Sequence, residues 1–261
     1  MFRYCCRFFC RTTGAARRYC IKNNLAFTSA FHTRFAEYVQ ARTRIPLNLT
    51  YGWLRRFHAP SRAVMVPTPA VQRDLAMRGF ANTVAWTRGV DTATFRPGER
   101  GRVDTTRPIF LYVGRVAVEK NIEAFLKLNL PGSKWVVGEG PQRAQFERKY
   151  PGVHFAGIKT PTELARYYRA ADVFVFPSLT DTFGLVMLES LACGTPVAAF
   201  PVSGPIDVIG DSGVGVLNEN LGVACLGALN ISRQKAREYA EQFSWRESVN
   251  QFVGHLTPVA A

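Results

Sequence analysis

Between residues 173 and 200 the chain reads VFVFPSLTDTFGLVMLESLACGTPVAAF, an order of residues that few folds can accommodate. The apolar run Val173–Phe176 is the length of a buried strand and too short for a buried helix. Pro177 and Ser178 end it, and a polar loop leads to Asp181-Thr182-Phe183-Gly184. Apolar residues then recur at helical spacing (Leu185, Leu188, Leu191, Ala192) until Gly194 supplies a stop, and residues 196–200 form a second apolar run,. Strand, glycine-containing turn, helix and strand in this order build a parallel sheet. The turn is a site for an anion, because the first helical N–H groups have no partner and the helix dipole is positive there. Glu189 lies just inside that helix, an acid on an otherwise apolar element, eight positions after Asp181.

The same alternation extends on both sides. Residues 109–113, 134–137, 153–156 and 213–217 read as strands, and residues 118–128, 141–149 and 161–170 as helices, the last opened by a capping box at Thr160-Pro161-Thr162-Glu163. Two amphipathic helices are expected between residue 217 and residue 256. This pattern predicts a doubly wound parallel sheet with its ligand site at the carboxyl ends of the strands. Residues 95–108, with two prolines and two glycines, read as a linker centred on 96–107,. Before it the signals are sparser: strands at 25–31, 64–67 and 83–86, and helices at 54–57 and 70–78, enough for about half of a Rossmann-like domain.

Charge divides the chain in the same place. Residues 1–103 hold 18 Lys and Arg against 4 Asp and Glu, a net of +14, whereas residues 104–261 hold 15 of each and are neutral. An arginine-rich half of this kind suits an anionic lipid surface or nucleic acid, and no nucleic-acid-binding motif accompanies it.

Several short motifs fall at the expected strand ends: Gly114-Arg115 followed by Glu119-Lys120-Asn121, Gly138-Glu139-Gly140-Pro141, Ala156-Gly157-Ile158-Lys159, and the Asp181 to Val197 segment with Phe183-Gly184, Glu189 and Gly194-Thr195-Pro196-Val197. Together they resemble the retaining glycosyltransferases with two Rossmann-like domains, the group 1 or GT4 family of GT-B fold, whose donor-site pattern is an acid, seven residues and a glutamate. The first acid here is Asp181 rather than the commoner glutamate. The resemblance implies an α/β chain with one complete C-terminal doubly wound sheet (residues 104–261), a partial N-terminal, acceptor-side Rossmann-like domain (14–103) and a non-family segment (1–13). It also implies that the first part of the N-terminal domain is missing.

Carried onto this sequence, the resemblance implies that Arg115 and Lys120, with the backbone at Gly184 and Leu185, hold the donor diphosphate. Glu189 would accept hydrogen bonds from the ribose hydroxyls, and Gly157, Ile158 and Lys159 would contact the base. Asp181 would orient the donor sugar, and His32, in a His-Thr pair after a strand, would stand near the same sugar. The donor is expected to be a GDP- or UDP-linked sugar, with mannose favoured, and the acceptor a lipid or saccharide hydroxyl. Fixed cations can stabilise the departing phosphate, so no metal or other cofactor is expected.

Of the six cysteines, four fall at positions 5, 6, 10 and 20 without the paired spacing of a zinc site, and reduced thiols are expected,. No run of apolar residues is long enough for a membrane span, and the basic start is interrupted by arginines in a way that argues against a secretory signal. A cytoplasmic protein, peripheral on the inner face of a membrane, is expected. Two other readings stay open: a nucleotide-sugar-binding remnant without transfer activity, and a basic membrane-surface or nucleic-acid-binding protein.

Overall fold

The computed structural model describes residues 12–101 and 105–256. Most of the 1–13 segment, with Cys5, Cys6 and Cys10, and residues 102–104 of the polar stretch lie outside the described residues. The chain forms two compact units, Met1–Thr87 with Val249–Ala261, and Arg88–Ser248. The division falls between Thr87 and Arg88, upstream of the polar stretch. Val90 and Phe95 belong to the core of the second unit, so residues 88–95 pack there.

In chain order the first unit comprises α1 (Thr12–Lys22), β1 (Thr28–Ala30), α2 (Phe35–Thr43), α3 (Leu47–His58), β2 (Ala63–Val66), α4 (Pro69–Met77) and β3 (Thr83–Ala85). Its three strands are parallel in the order β1-β2-β3. The centre strand β2 is buried along its whole length, and β1 at the edge is only half-buried. Phe31, Tyr51, Leu54, Val64, Leu75 and Phe80 form the core of this unit.

The second unit comprises β4 (Ile109–Val113), a 3-10 turn (Val118–Lys120), α5 (Ile122–Leu126), β5 (Ser133–Val137), α6 (Arg143–Lys149), β6 (Val153–Gly157), α7 (Pro161–Ala170) and β7 (Val173–Phe176). It continues with α8 (Leu185–Ala192), β8 (Val197–Ala199), α9 (Ser203–Val208), β9 (Gly215–Leu217), α10 (Leu221–Ala228) and α11 (Arg233–Ala240). α12 (Trp245–Gly254) begins in this unit and ends in the first. The six strands are all parallel in the order β6-β5-β4-β7-β8-β9, the doubly wound arrangement the sequence pattern predicts,.

Strand residues alternate between two cores, as a pleat buried on both faces requires. On β4, Ile109, Leu111 and Val113 face one side with Tyr168, Met187, Leu188 and Leu191. Phe110 and Tyr112 face the other with Ile122, Phe125, Phe146 and Cys225. The capping box of α7 is formed: the Thr160 hydroxyl accepts from the Glu163 N–H, and the Glu163 carboxylate accepts from the Thr160 N–H,.

Three expectations differ from the structure. The helix expected over 118–128 is broken: Asn121 is left-handed (φ 50°), splitting a 3-10 turn from a five-residue helix. Its side-chain amide donates to the Pro177 carbonyl at 3.1 Å, a bond that fixes this conformation from the next loop,. Three helices rather than two follow β9. In the first unit the strand expected over 25–31 contracts to Thr28–Ala30, the helix at 54–57 extends to Leu47–His58, and α1 and α2 were not anticipated.

Candidate functional site

In the second unit the strand order reverses between β4 and β7, which makes the carboxyl ends of these two strands the switch point of the sheet,. The loop after β4 begins at Gly114-Arg115. It is anchored by the Tyr112 hydroxyl donating to the Arg115 carbonyl at 2.9 Å and by the Gly114 N–H donating to the Val137 carbonyl at 3.0 Å. The next strand end continues the ladder, the Gly138 N–H donating to the Gly157 carbonyl at 2.9 Å. Gly138 has φ 136°, and a Cβ there would collide with the Gly114 carbonyl oxygen, so the close approach of these loops depends on glycine,.

The loop after β7 runs from Pro177 to Gly184. Phe183 is buried in the core beneath it, and Gly184 starts α8 with φ 81°. A Cβ on Gly184 would stand 2.7 Å from the Met187 methyl and 2.9 Å from the Phe176 ring. The backbone can therefore turn sharply and aim the first N–H groups of α8, that of Leu185 included, out of the strand end.

Four charged groups meet over these loops. Lys120 Nζ lies 2.5 Å from Asp181 Oδ1, and both side chains are mostly buried. Arg115 pairs with Glu119 at 3.1 Å and is half-exposed. Thr180 donates to the Glu119 carbonyl at 3.3 Å, tying the two loops together. Asp181 Oδ2 and the Ser178 hydroxyl are buried in the same loop without a hydrogen-bond partner.

One turn into α8, the Glu189 carboxylate accepts a hydrogen bond from the Tyr168 hydroxyl at 3.0 Å. Burial raises the Glu189 carboxyl above its ordinary value and the Tyr168 bond opposes the shift,. Burial likewise pushes the Tyr168 phenol far up, keeping it a donor. Sequence reasoning missed Tyr168, since an aromatic residue on an amphipathic helix reads as core. Its hydroxyl, which must find a partner once buried, was the available signal.

The structure thus places Arg115, Lys120, Asp181, Gly184, Leu185 and Glu189 on the loops after β4 and β7 and on the helix α8 that follows. Gly157, Ile158 and Lys159 lie at the end of β6, two strands away, joined to Gly114 through the Gly138 ladder. Ile158 is 74% exposed, an apolar side chain held in solvent at the rim, and Lys159 Nζ lies 5.7 Å from the Tyr167 ring centre. His32 belongs to the first unit, where it follows β1 and packs edge-on against Trp86 with ring centres 5.0 Å apart. Among the described residues no three His, Cys, Asp or Glu side chains are grouped to hold a metal ion, and no helix is long and apolar enough to cross a membrane.

A doubly wound sheet with cations, two acids and a glycine-started helix at its switch point belongs to the class of α/β proteins that bind ligands at the carboxyl ends of their strands. Residues 107–229 match the family described as glycosyl transferases group 1. The chain has the GT-B fold. The chain is 29% identical to the sulfoquinovosyl transferase SQD2 of Arabidopsis thaliana over 80% of its length and 49% of the relative's. It is 34% identical to a GDP-mannose-dependent alpha-mannosyltransferase of Mycobacterium tuberculosis over 64% of its length and 46% of the relative's. Among solved structures it resembles sucrose-phosphate synthase from Thermosynechococcus elongatus (TM-score 0.75, 23% identity, 93% of this chain and 70% of that one). Anabaena Alr3699/HepE in complex with UDP and glucose is similar in fold (TM-score 0.73, 14% identity, 93% of this chain and 74% of that one). The chain spans about half the length of the first two curated relatives.

Proposed function

We propose that this chain is a retaining glycosyltransferase that moves a sugar, mannose in preference, from a nucleoside diphosphate to a hydroxyl of a lipid or saccharide. The observation that carries the reading is the meeting of Lys120, from the loop after β4, with Asp181 just before the glycine-started helix that carries Glu189. Relatives named for GDP-mannose support the choice of donor, and fold neighbours solved with UDP keep the uridine nucleotide as its competitor.

In this reading the diphosphate lies against the N-terminus of α8, between the guanidinium of Arg115 and the ammonium of Lys120. Glu189 accepts from the ribose hydroxyls, Gly157 to Lys159 border the base, and Asp181 accepts from hydroxyls of the sugar. As the bond from the anomeric carbon to the phosphate oxygen breaks, its electron pair stays on that oxygen, where the fixed cations stabilise it. The acceptor oxygen bonds to the anomeric carbon on the face just vacated, and its proton passes to the departing phosphate. Positioning and charge supply the catalysis, and no metal takes part.

The exposed, basic first unit fits a site of action at the cytoplasmic face of an anionic membrane, where a lipid acceptor would lie. The test is calorimetry and a transfer assay with GDP-mannose and UDP-glucose, with and without EDTA. Tight donor binding and EDTA-resistant transfer are expected. Lys120→Ala should weaken GDP or UDP by about 1.5–3 kcal/mol, the scale of a charge-assisted hydrogen bond. Binding without transfer would identify a nucleotide-sugar-binding remnant instead. Affinity for DNA or RNA alone, falling steeply with salt, would sink the reading.

A further inference from the structure

The pairing of Lys120 with Asp181 has a consequence for which ligands the site prefers. The other cation, Arg115, is half-exposed and its guanidinium reaches water beside the Glu119 it pairs with, at 3.1 Å. The Lys120–Asp181 pair is different: 24% and 16% of the two side chains is exposed, and the contact is 2.5 Å. Separating such a pair leaves a carboxylate largely out of water. The backbone that carries Asp181 is held close: Gly204 packs against its carbonyl, and Thr182 and Phe183 after it are buried. Its second oxygen, Oδ2, is already buried with no partner.

We propose that Asp181 determines specificity by holding Lys120 in place of the ligand's phosphate until sugar hydroxyls replace the ammonium, so that the site prefers the nucleotide sugar to the nucleoside diphosphate. The inference rests on the donor-site reading above. A nucleoside diphosphate alone draws Lys120 to its phosphates and leaves both Asp181 oxygens unpartnered beside a new negative charge. A donor brings hydroxyls that satisfy the carboxylate in the same step. The preference therefore falls on the molecule still carrying its sugar, and the product is released more readily than the donor.

Calorimetry on the full chain tests this with GDP, UDP, GDP-mannose, UDP-glucose and inorganic pyrophosphate as ligands. Asp181→Asn is expected to bind GDP and pyrophosphate about tenfold tighter than the wild type, the scale of one charge contact at a half-buried site. It should not gain affinity for the nucleotide sugar, so the preference disappears. Asp181→Ser, which removes the charge with a smaller side chain, must act in the same direction. The gain must vanish when Lys120→Met is added, because the effect passes through the ammonium. Folded Asp181→Asn and Asp181→Ser proteins that bind pyrophosphate and GDP no tighter than the wild type would overturn the proposal. Tighter pyrophosphate with no affinity for any nucleotide would sink the donor-site reading and leave the exchange between Asp181 and Lys120 standing.

Discussion

His58 ends α3 beneath the small sheet, with 1% of its surface exposed and its Nδ1 2.9 Å from the Ser29 hydroxyl, which also meets Ser61 at 2.7 Å. Burial, aided by the Arg17 charge, lowers the ring from 6.5 to about 4. The folded protein then keeps His58 neutral at a pH where the unfolded chain takes up a proton. Between about 6.5 and about 4 the unfolded state binds more protons, so stability falls as pH falls through that window,. The ceiling of the effect is about 3 kcal/mol. His58→Gln should lower stability at pH 7.5 yet flatten its decline toward pH 4.5, as urea unfolding of both proteins will measure. A parallel decline would refute the assignment.

Tyr168 acts at the same scale on Glu189. Tyr168→Phe removes the 3.0 Å hydrogen bond and should weaken GDP or UDP by about 1.5 kcal/mol, at the lower end for a bond to a charged group,. Glu189, already raised by burial, loses the bond that opposes the shift. Binding that needs its carboxylate should then fail at higher pH than in the wild type as the solution is acidified. Equal losses for a ribonucleotide and its 2′,3′-dideoxy analogue would show that Glu189 does not meet the ribose. The buried thiols Cys193 and Cys225, each pushed up to about 12 by burial, are inert by comparison,.

At the scale of elements, the start of α8 makes the sharpest prediction. Gly184→Ala places a side chain at φ 81° within 2.9 Å of the Phe176 ring. The left-handed conformation alone costs about 1–2 kcal/mol, and the packing adds to it. Lower thermal stability and weaker diphosphate binding should appear together. Gly152→Ala, at a turn with open space around it, should change neither. Elements were legible in the sequence where a strand is buried on both faces: β4, β7 and β8 are uninterrupted apolar runs bounded by proline and glycine. They were not legible where a contact distant in sequence decides the outcome. Nothing between residues 118 and 128 announces the break at Asn121, because its cause is the Pro177 carbonyl 56 residues away. The edge strand β1 is half-buried and carries little pattern, and α1 is a basic helix without an apolar stripe. The site divides in the same way. Arg115, Lys120, Asp181 and Glu189 stood out because the motifs around them resemble those of a known family, whereas the pairing of Lys120 with Asp181 and the Tyr168 bond arise only when the loops meet.

For the whole molecule, charge is the most consequential asymmetry. The acids of the first unit, Glu37 and Asp74, are both engaged, by Arg34 and Tyr51 and by Arg34 and Arg78. The remaining cations are therefore uncompensated. On α3, Leu49 and Trp53 stand exposed beside Arg55 and Arg56. Arginines near an acidic leaflet contribute about 1 kcal/mol each, so the protein should co-sediment with phosphatidylserine vesicles at low salt and be released at high salt. Equal binding to neutral vesicles would assign the effect to the apolar residues alone.

Both termini of the chain belong to one unit, and the other is inserted between them. Residues 249–256 complete the first unit: Phe252 packs on Trp86 with ring centres 4.9 Å apart, the Gln251 side chain accepts from the Thr87 N–H at 3.0 Å, and His255 meets the Ala85 carbonyl at 2.9 Å. These pairs are far apart in the chain, and a flexible loop of that length would make their closure entropically expensive. Within the inserted unit, Gly89 packs so closely on the Trp245 backbone that a Cβ there would collide with it. Folding of residues 88–248 therefore brings its own two ends together and delivers the last helix to Trp86 at high effective concentration. Connectivity thus couples the two units: a lesion that melts the inserted one should also loosen the final helix from the unit that holds the chain's beginning.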